Sequence, residues 1–193
     1  MSLLILGLVI FLGVHSVRVF AEDWRTRTRA RLGENAFKGL YSLLSVAGFV
    51  LIIYGYSAAR QQPIALWPAP PVAFRHVASL LTLFAFVLLV ATYVPGNSIK
   101  ARLHHPMVLA VKVWAFSHLI VNNTLADLLL FGGFLLWAVL NFRAARARDR
   151  AAGTVYAPGR MAPTLVSVVV GIAAWAGFAF WAHGAWIGVR PFG

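Results

Sequence analysis

The sequence has no cysteine, and only five of its 193 residues are Asp or Glu. Without Cys there is no disulfide framework, no thiolate metal site and no Cys nucleophile. An H-E-x-x-H helix motif and a Ser nucleophile elbow are both missing, and acidic residues are nearly absent from the apolar runs. A zinc hydrolase built on two His and a carboxylate, or a serine hydrolase, is therefore not expected. Charged residues make up 11% of the chain, against about 25% in soluble domains. That scarcity excludes an ordinary water-soluble globule and any long disordered region.

What the chain has instead is apolar length: 61% of its residues are hydrophobic. A membrane-spanning helix needs about 20 mostly apolar residues. The candidates are Ser2–Val17 (extended by apolar residues to Ala21), Gly39–Ala59, His76–Ile99, a helix from Pro106 that carries Lys112, Leu128–Phe142, and Met161–Val189. Pro106 suits a first helical turn, and Asn122-Asn123-Thr124 reads as a tight turn before the fifth span. The first run lacks a basic leader and a small-x-small cleavage site, so it reads as a retained span. The expected architecture is all-α: a polytopic transmembrane helical bundle of about six spans, forming one domain over residues 1–193. Glycines inside the spans, among them Gly7, Gly13, Gly48, Gly55, Gly171 and Gly177, are expected to let helices approach closely.

The net charge is +12, and its placement is regular. Arg25, Arg27, Arg29, Arg31 and Lys38 fall in or beside the first connection. Lys100 and Arg102 fall in the third, and Arg143, Arg146, Arg148, Arg150 and Arg160 in the fifth. Twelve basic residues thus lie on one side, against Arg60, Arg75 and Arg190 on the other. Cytoplasmic connections are the basic ones. The expectation is a bacterial inner (cytoplasmic) membrane protein with both termini periplasmic, whose basic loops attract anionic lipids. Basic residues that flank apolar runs serve topology, so nucleic acid is not an expected partner.

Ionisable groups at membrane depth are costly and are functional candidates. His15 and Arg18 lie on the first span, and Glu22 continues the same stripe at helical spacing. The alternative for this stripe is a His hydrogen-bonded to a neighbouring helix beside a snorkelling Arg. The fourth span carries His105, Lys112 and His118, with His104 at its mouth. On a straight helix Lys112 falls within about 20° of His105, while His118 falls about 140° away. Lys112 calls for an anionic partner: Asp127, Glu22 or a ligand carboxylate. His76 reads as interfacial. Haem requires only one or two axial His and an apolar pocket, which this composition permits.

Several segments together resemble the NnrU family of polytopic membrane proteins. They are Leu12-Gly13-Val14-His15-Ser16, Ala30-Arg31-Leu32-Gly33-Glu34, Tyr93-Val94-Pro95-Gly96 and His105-Pro106-Met107. Val111-Lys112-Val113-Trp114-Ala115-Phe116-Ser117-His118-Leu119 is the most specific, and His183 with Trp186-Ile187-Gly188-Val189-Arg190-Pro191 closes the series. The resemblance spans essentially the whole chain. It implies a link to denitrification and nitrogen-oxide metabolism. It also implies kinship with the plant zeta-carotene isomerase, a membrane enzyme with haem b. Carried over, the isomerase's haem ligands are His15 and His118. A further His of the isomerase aligns near Trp137, so ligand switching of that kind is not implied here. Depth counting along the helices instead pairs His15 with His105. Arg18 and Lys112 become candidates to hold haem propionates.

The reading is a His-ligated haem b membrane protein. If it is an enzyme, it performs isomerase-like or redox chemistry on an apolar small molecule. Two alternatives belong to other classes. One is an S-adenosylmethionine-dependent membrane methyltransferase, because Arg102 to Met107 is similar to the Arg-His-Pro segment of that family, although no Glu follows Glu34. The other is a non-catalytic assembly or signalling partner.

Overall fold

A computed structural model describes residues 1–192, and its regular structure is helical. The elements are α1 (Ser2–Phe20), α2 (Glu22–Leu32), α3 (Glu34–Gln61), α4 (Ala73–Tyr93), α5 (Ser98–Leu103), α6 (Pro106–Leu119), α7 (Leu125–Ala151), α8 (Met161–Gly177) and α9 (His183–Ile187). A π-helical segment, Phe178–Ala182, joins α8 to α9. Extended pairing among the described residues is limited to isolated bridges.

Among the described residues, five helices are long and apolar enough to cross a membrane: α1, α3, α4, α7 and the stretch Met161–Ile187. Only 11% of the most apolar window of α4 is buried within the protein. Its exposed side chains, among them Leu80, Phe84 and Leu89, are apolar, which is stable against lipid and not against water. The protein is a multi-pass membrane protein. The expected fourth span differs from the others. α6 has 14 residues, about 21 Å by helical rise, and falls short of the roughly 30 Å hydrocarbon layer.

Three boundaries also differ from the sequence reading. The first basic connection is a helix, α2, with Glu22 and Asp23 in its first turn and Arg29 and Arg31 in its last. That order complements the helix dipole. Glu22 therefore starts a new helix after the break at Ala21 and does not continue the stripe of α1. The third span begins earlier and ends earlier than the charge-free run. α7 continues through Arg143–Arg150 to Ala151, because Ala and Arg are strong helix formers. It ends where Gly153 takes a positive φ, with Gly153 N donating to Arg150 O and Thr154 N to Asp149 O. This is a Schellman cap.

The chain divides into two compact units: Met1–Pro68 with Asn123–Ala144, and Ala69–Asn122 with Ala145–Gly193. In the first, α1 packs on α3. A Cβ on Gly7 would lie 2.6 Å from Ile52 N, one on Gly48 would lie 2.8 Å from Phe11 N, and one on Gly55 would collide with Leu4 N. These glycines bring two backbones into direct contact, whereas Gly13 has nothing within 4 Å. The connections before α4 and before α7 meet in this unit: Leu66 N donates to Asn123 O and Leu125 N to Ile64 O.

In the second unit α4 packs on α6 and α8, and Gly171 lies against the backbone of Val87. The connections after α4 and after α7 meet here. Arg160 N donates to Gly96 O, and Ser98 N donates to Thr164 Oγ1. The buried residues of the second unit are mostly alanines, including Ala85, Ala91 and Ala115, as close membrane packing requires, whereas the first buries Leu4, Leu8, Ile52, Leu130 and Phe131 beside Ala59 and Ala138.

Candidate functional site

His15 lies near the end of α1. Its Nδ1 is 2.7 Å from the carbonyl oxygen of Phe11, one turn earlier. A carbonyl accepts only from an N–H, so this contact puts the ring proton on Nδ1 and the lone pair on Nε2. A metal-ligating His is oriented in the same way, by donating its other ring N–H to a backbone carbonyl or carboxylate. The ring is enclosed by aromatic side chains. Phe11 stacks on it at 4.2 Å, Tyr41 of α3 meets it at 5.3 Å, and Trp137 of α7 stands edge-on at 6.3 Å.

His15, Val14, Val17, Tyr41, Phe37, Trp137 and Asn141 line a cavity of about 450 Å³. Arg18, Arg25, Arg29 and Lys38 line it too, with Glu34 as the acidic member. Glu34 is bridged by Arg29 at 2.9 Å and Lys38 at 2.7 Å, and Glu22 by Arg25 at 3.0 Å and Arg18 at 3.7 Å. Four cations against one lining carboxylate leave the cavity net positive. Trp137 adds an unmet donor: its Nε1 is buried without a hydrogen-bond partner. A buried N–H of this kind costs about 1–3 kcal/mol unless a ligand or water meets it.

His118 lies in the second unit, in the last turn of α6. It repeats the arrangement of His15: its Nδ1 is 2.8 Å from the carbonyl of Trp114, one turn back.

A family model described as NnrU protein matches residues 3–191. The chain belongs to the NnrU family. No curated protein and no solved structure matches it.

Arg18 lines the same cavity as His15. His105 precedes α6 and places Nε2 2.8 Å from Asp149 Oδ2, so that nitrogen is already engaged. His105 and His118 sit at opposite ends of α6, about 20 Å apart by helical rise. Lys112 lies midway along α6, and its two expected carboxylate partners are held elsewhere. Glu22 is held by Arg25 and Arg18. Asp127 accepts from Tyr56 Oη at 2.5 Å, from Thr124 Oγ1 at 2.6 Å and from Thr124 N at 3.1 Å. His76 is exposed in the first turn of α4. The sequence reading missed Trp137, Asn141, Phe37 and Tyr41 as cavity residues. The family resemblance marks only Trp137 at this site, near which the isomerase carries a further His; the other three reach the site through packing of α3 and α7 around the end of α1.

Proposed function

We propose that this NnrU-family protein is a haem b-binding membrane protein in which His15 would hold the iron, serving nitrogen-oxide metabolism. One observation carries the reading. His15 is oriented by the Phe11 carbonyl with Nε2 left to bind, and it lines an aromatic-walled cavity rimmed by Arg18, Arg25, Arg29 and Lys38. Haem b matches both parts: an apolar macrocycle with an iron that takes imidazole, and two propionates that take cations. Trp137 Nε1 supplies a further donor for an oxygen of such a ligand. The donor set therefore fits the group. When bound, haem supplies a one-electron or Lewis-acid centre, while the chain supplies ligands, orientation and a dry surround. His118, whose Nδ1 is held as in His15, is the proposed second ligand.

The test is the optical spectrum of the purified full chain from haem-supplied cells. A Soret band is expected, with His15→Ala and His118→Ala each reducing haem content or shifting the band. His76→Ala is expected to change neither. Loss of haem in His105→Ala but not in His118→Ala would move the second ligand to His105. Full haem in all four variants, or a colourless protein that binds S-adenosylmethionine, would overturn the reading.

A further inference from the structure

A second polar cavity, of about 150 Å³, lies wholly in the second unit and takes no part in the His15 site. His104, Arg146, Asp149, Arg150, Gly153 and Thr154 line it. Its floor is the capped end of α7, where Arg146 and Arg150 are one turn apart and share a helix face. Asp149 Oδ2 is taken up by His105 Nε2 at 2.8 Å and by Tyr156 Oη at 2.9 Å, with Arg146 at 4.0 Å. These contacts fall on one carboxylate oxygen, and two guanidinium groups against one carboxylate leave the cavity net positive.

His104 bears two costs at once. Its backbone sits at φ 73° and ψ −60°, and His105 N donates to Leu103 O at 3.0 Å across it. This is the rare γ-turn that strains any residue with a side chain. Its Nδ1 is also buried without a hydrogen-bond partner, and its ring stands edge-on to Tyr156 at 4.0 Å. A strained residue with an orphaned ring nitrogen, lining a cavity together with two arginines, is a feature that folding alone does not explain.

Position and size narrow the ligand. The apolar run of α7 ends at Phe142, so Arg146 and Arg150 lie about 6 and 12 Å beyond it by helical rise. The polar headgroup layer is about 5–8 Å deep on each face of a bilayer, so Arg146 lies at headgroup depth and Arg150 one turn beyond it, within reach of its long side chain. Arginine forks suit phosphate oxygens, and the cavity is too small for a nucleotide. We infer that the cavity between His104 and the end of α7 binds the phosphate group of an anionic phospholipid.

The experiment uses the full chain in neutral detergent. Titration with phosphatidylglycerol, phosphatidylcholine and inorganic phosphate is followed by native mass spectrometry and thermal shift. Phosphatidylglycerol is expected to bind in preference to phosphatidylcholine. The double variant Arg146→Gln/Arg150→Gln is expected to bind about tenfold or more weakly, since each juxtamembrane Arg contributes to anionic-lipid attraction. Arg27→Gln/Arg31→Gln, on α2 and outside both cavities, is the control for bulk charge. An equal loss in the control, or no loss in the cavity variant, overturns the site. Binding of inorganic phosphate through the same arginines without lipid preference overturns the lipid source. His104→Gly separates folding from binding: Gly accepts the γ-turn, so melting temperature is expected to hold or rise while phosphatidylglycerol affinity falls. Unchanged affinity in that variant removes His104 from the site.

Discussion

Asp127 is only 5% exposed, yet it needs no ligand to explain it. Thr124 caps α7, accepting from Asp127 N at 3.2 Å while the Asp127 carboxylate accepts from Thr124 N. This reciprocal pair is a capping box. The Thr124-x-x-Asp127 spacing is visible in the sequence, but the Tyr56 contact is not, because the partner lies 71 residues away. Tyr56→Phe should cost about 1–2 kcal/mol, less than a lone buried carboxylate would, since the Thr124 bonds remain. Thermal unfolding in detergent measures it, and an unchanged midpoint would show that the bond contributes nothing. Trp137 presents the opposite case. Trp137→Phe removes an orphaned donor and keeps an aromatic wall, so the ligand-free protein should be at least as stable while haem retention falls. A destabilised ligand-free protein would mean that Nε1 finds water there. The orientation of His15 by the Phe11 carbonyl was implicit in its place on a helix. The walls that enclose it come from other helices, and no local pattern announces them.

At the level of elements, hydropathy located the long helices well because lipid imposes one length and one composition on all of them. It failed where helix formation does not depend on apolarity. α2 and the basic end of α7 are helical through propensity and capping, so charge alone misread them as loops. Small residues were legible as a class but not individually. Gly48 meets Phe11 N at 2.8 Å from a would-be Cβ, while Gly13 faces open space. Gly48→Leu should therefore destabilise the α1–α3 pair by about 1–3 kcal/mol or more. Gly13→Ala should stabilise α1 by about 0.5–1 kcal/mol, and equal effects at both sites would contradict the packing described. Lys112 in α6 follows a related logic. With Glu22 and Asp127 engaged elsewhere, its ammonium is a cost within an apolar helix. Lys112→Met should leave the ligand-free protein as stable or more so, and should lower retention of an anionic ligand. A large loss of ligand-free stability would instead reveal a partner within the protein.

At the scale of the whole molecule, the sided distribution of charge can be checked against the connections the fold ties together. Twelve basic residues were assigned to the first, third and fifth connections, and three to the opposite side. Within the second unit the third and fifth connections meet, through Arg160 N to Gly96 O and His105 to Asp149. Within the first unit the second and fourth meet, through Leu66 N to Asn123 O. Each joined pair lies on one side of the membrane if the short helix α6 counts as a pass beside α4 or α7, which is the alternation expected from charge. It leaves one binary choice, for which the excess of Arg and Lys predicts the cytoplasm on the basic side. The absence of native cysteine makes the choice directly measurable. Single variants at exposed positions, Arg27→Cys, Ala147→Cys and Gln62→Cys, can be probed with a membrane-impermeant maleimide on intact cells or spheroplasts. Gln62→Cys should label from outside. Arg27→Cys and Ala147→Cys should label only after the membrane is opened. Labelling of Ala147→Cys from outside would invert the topology.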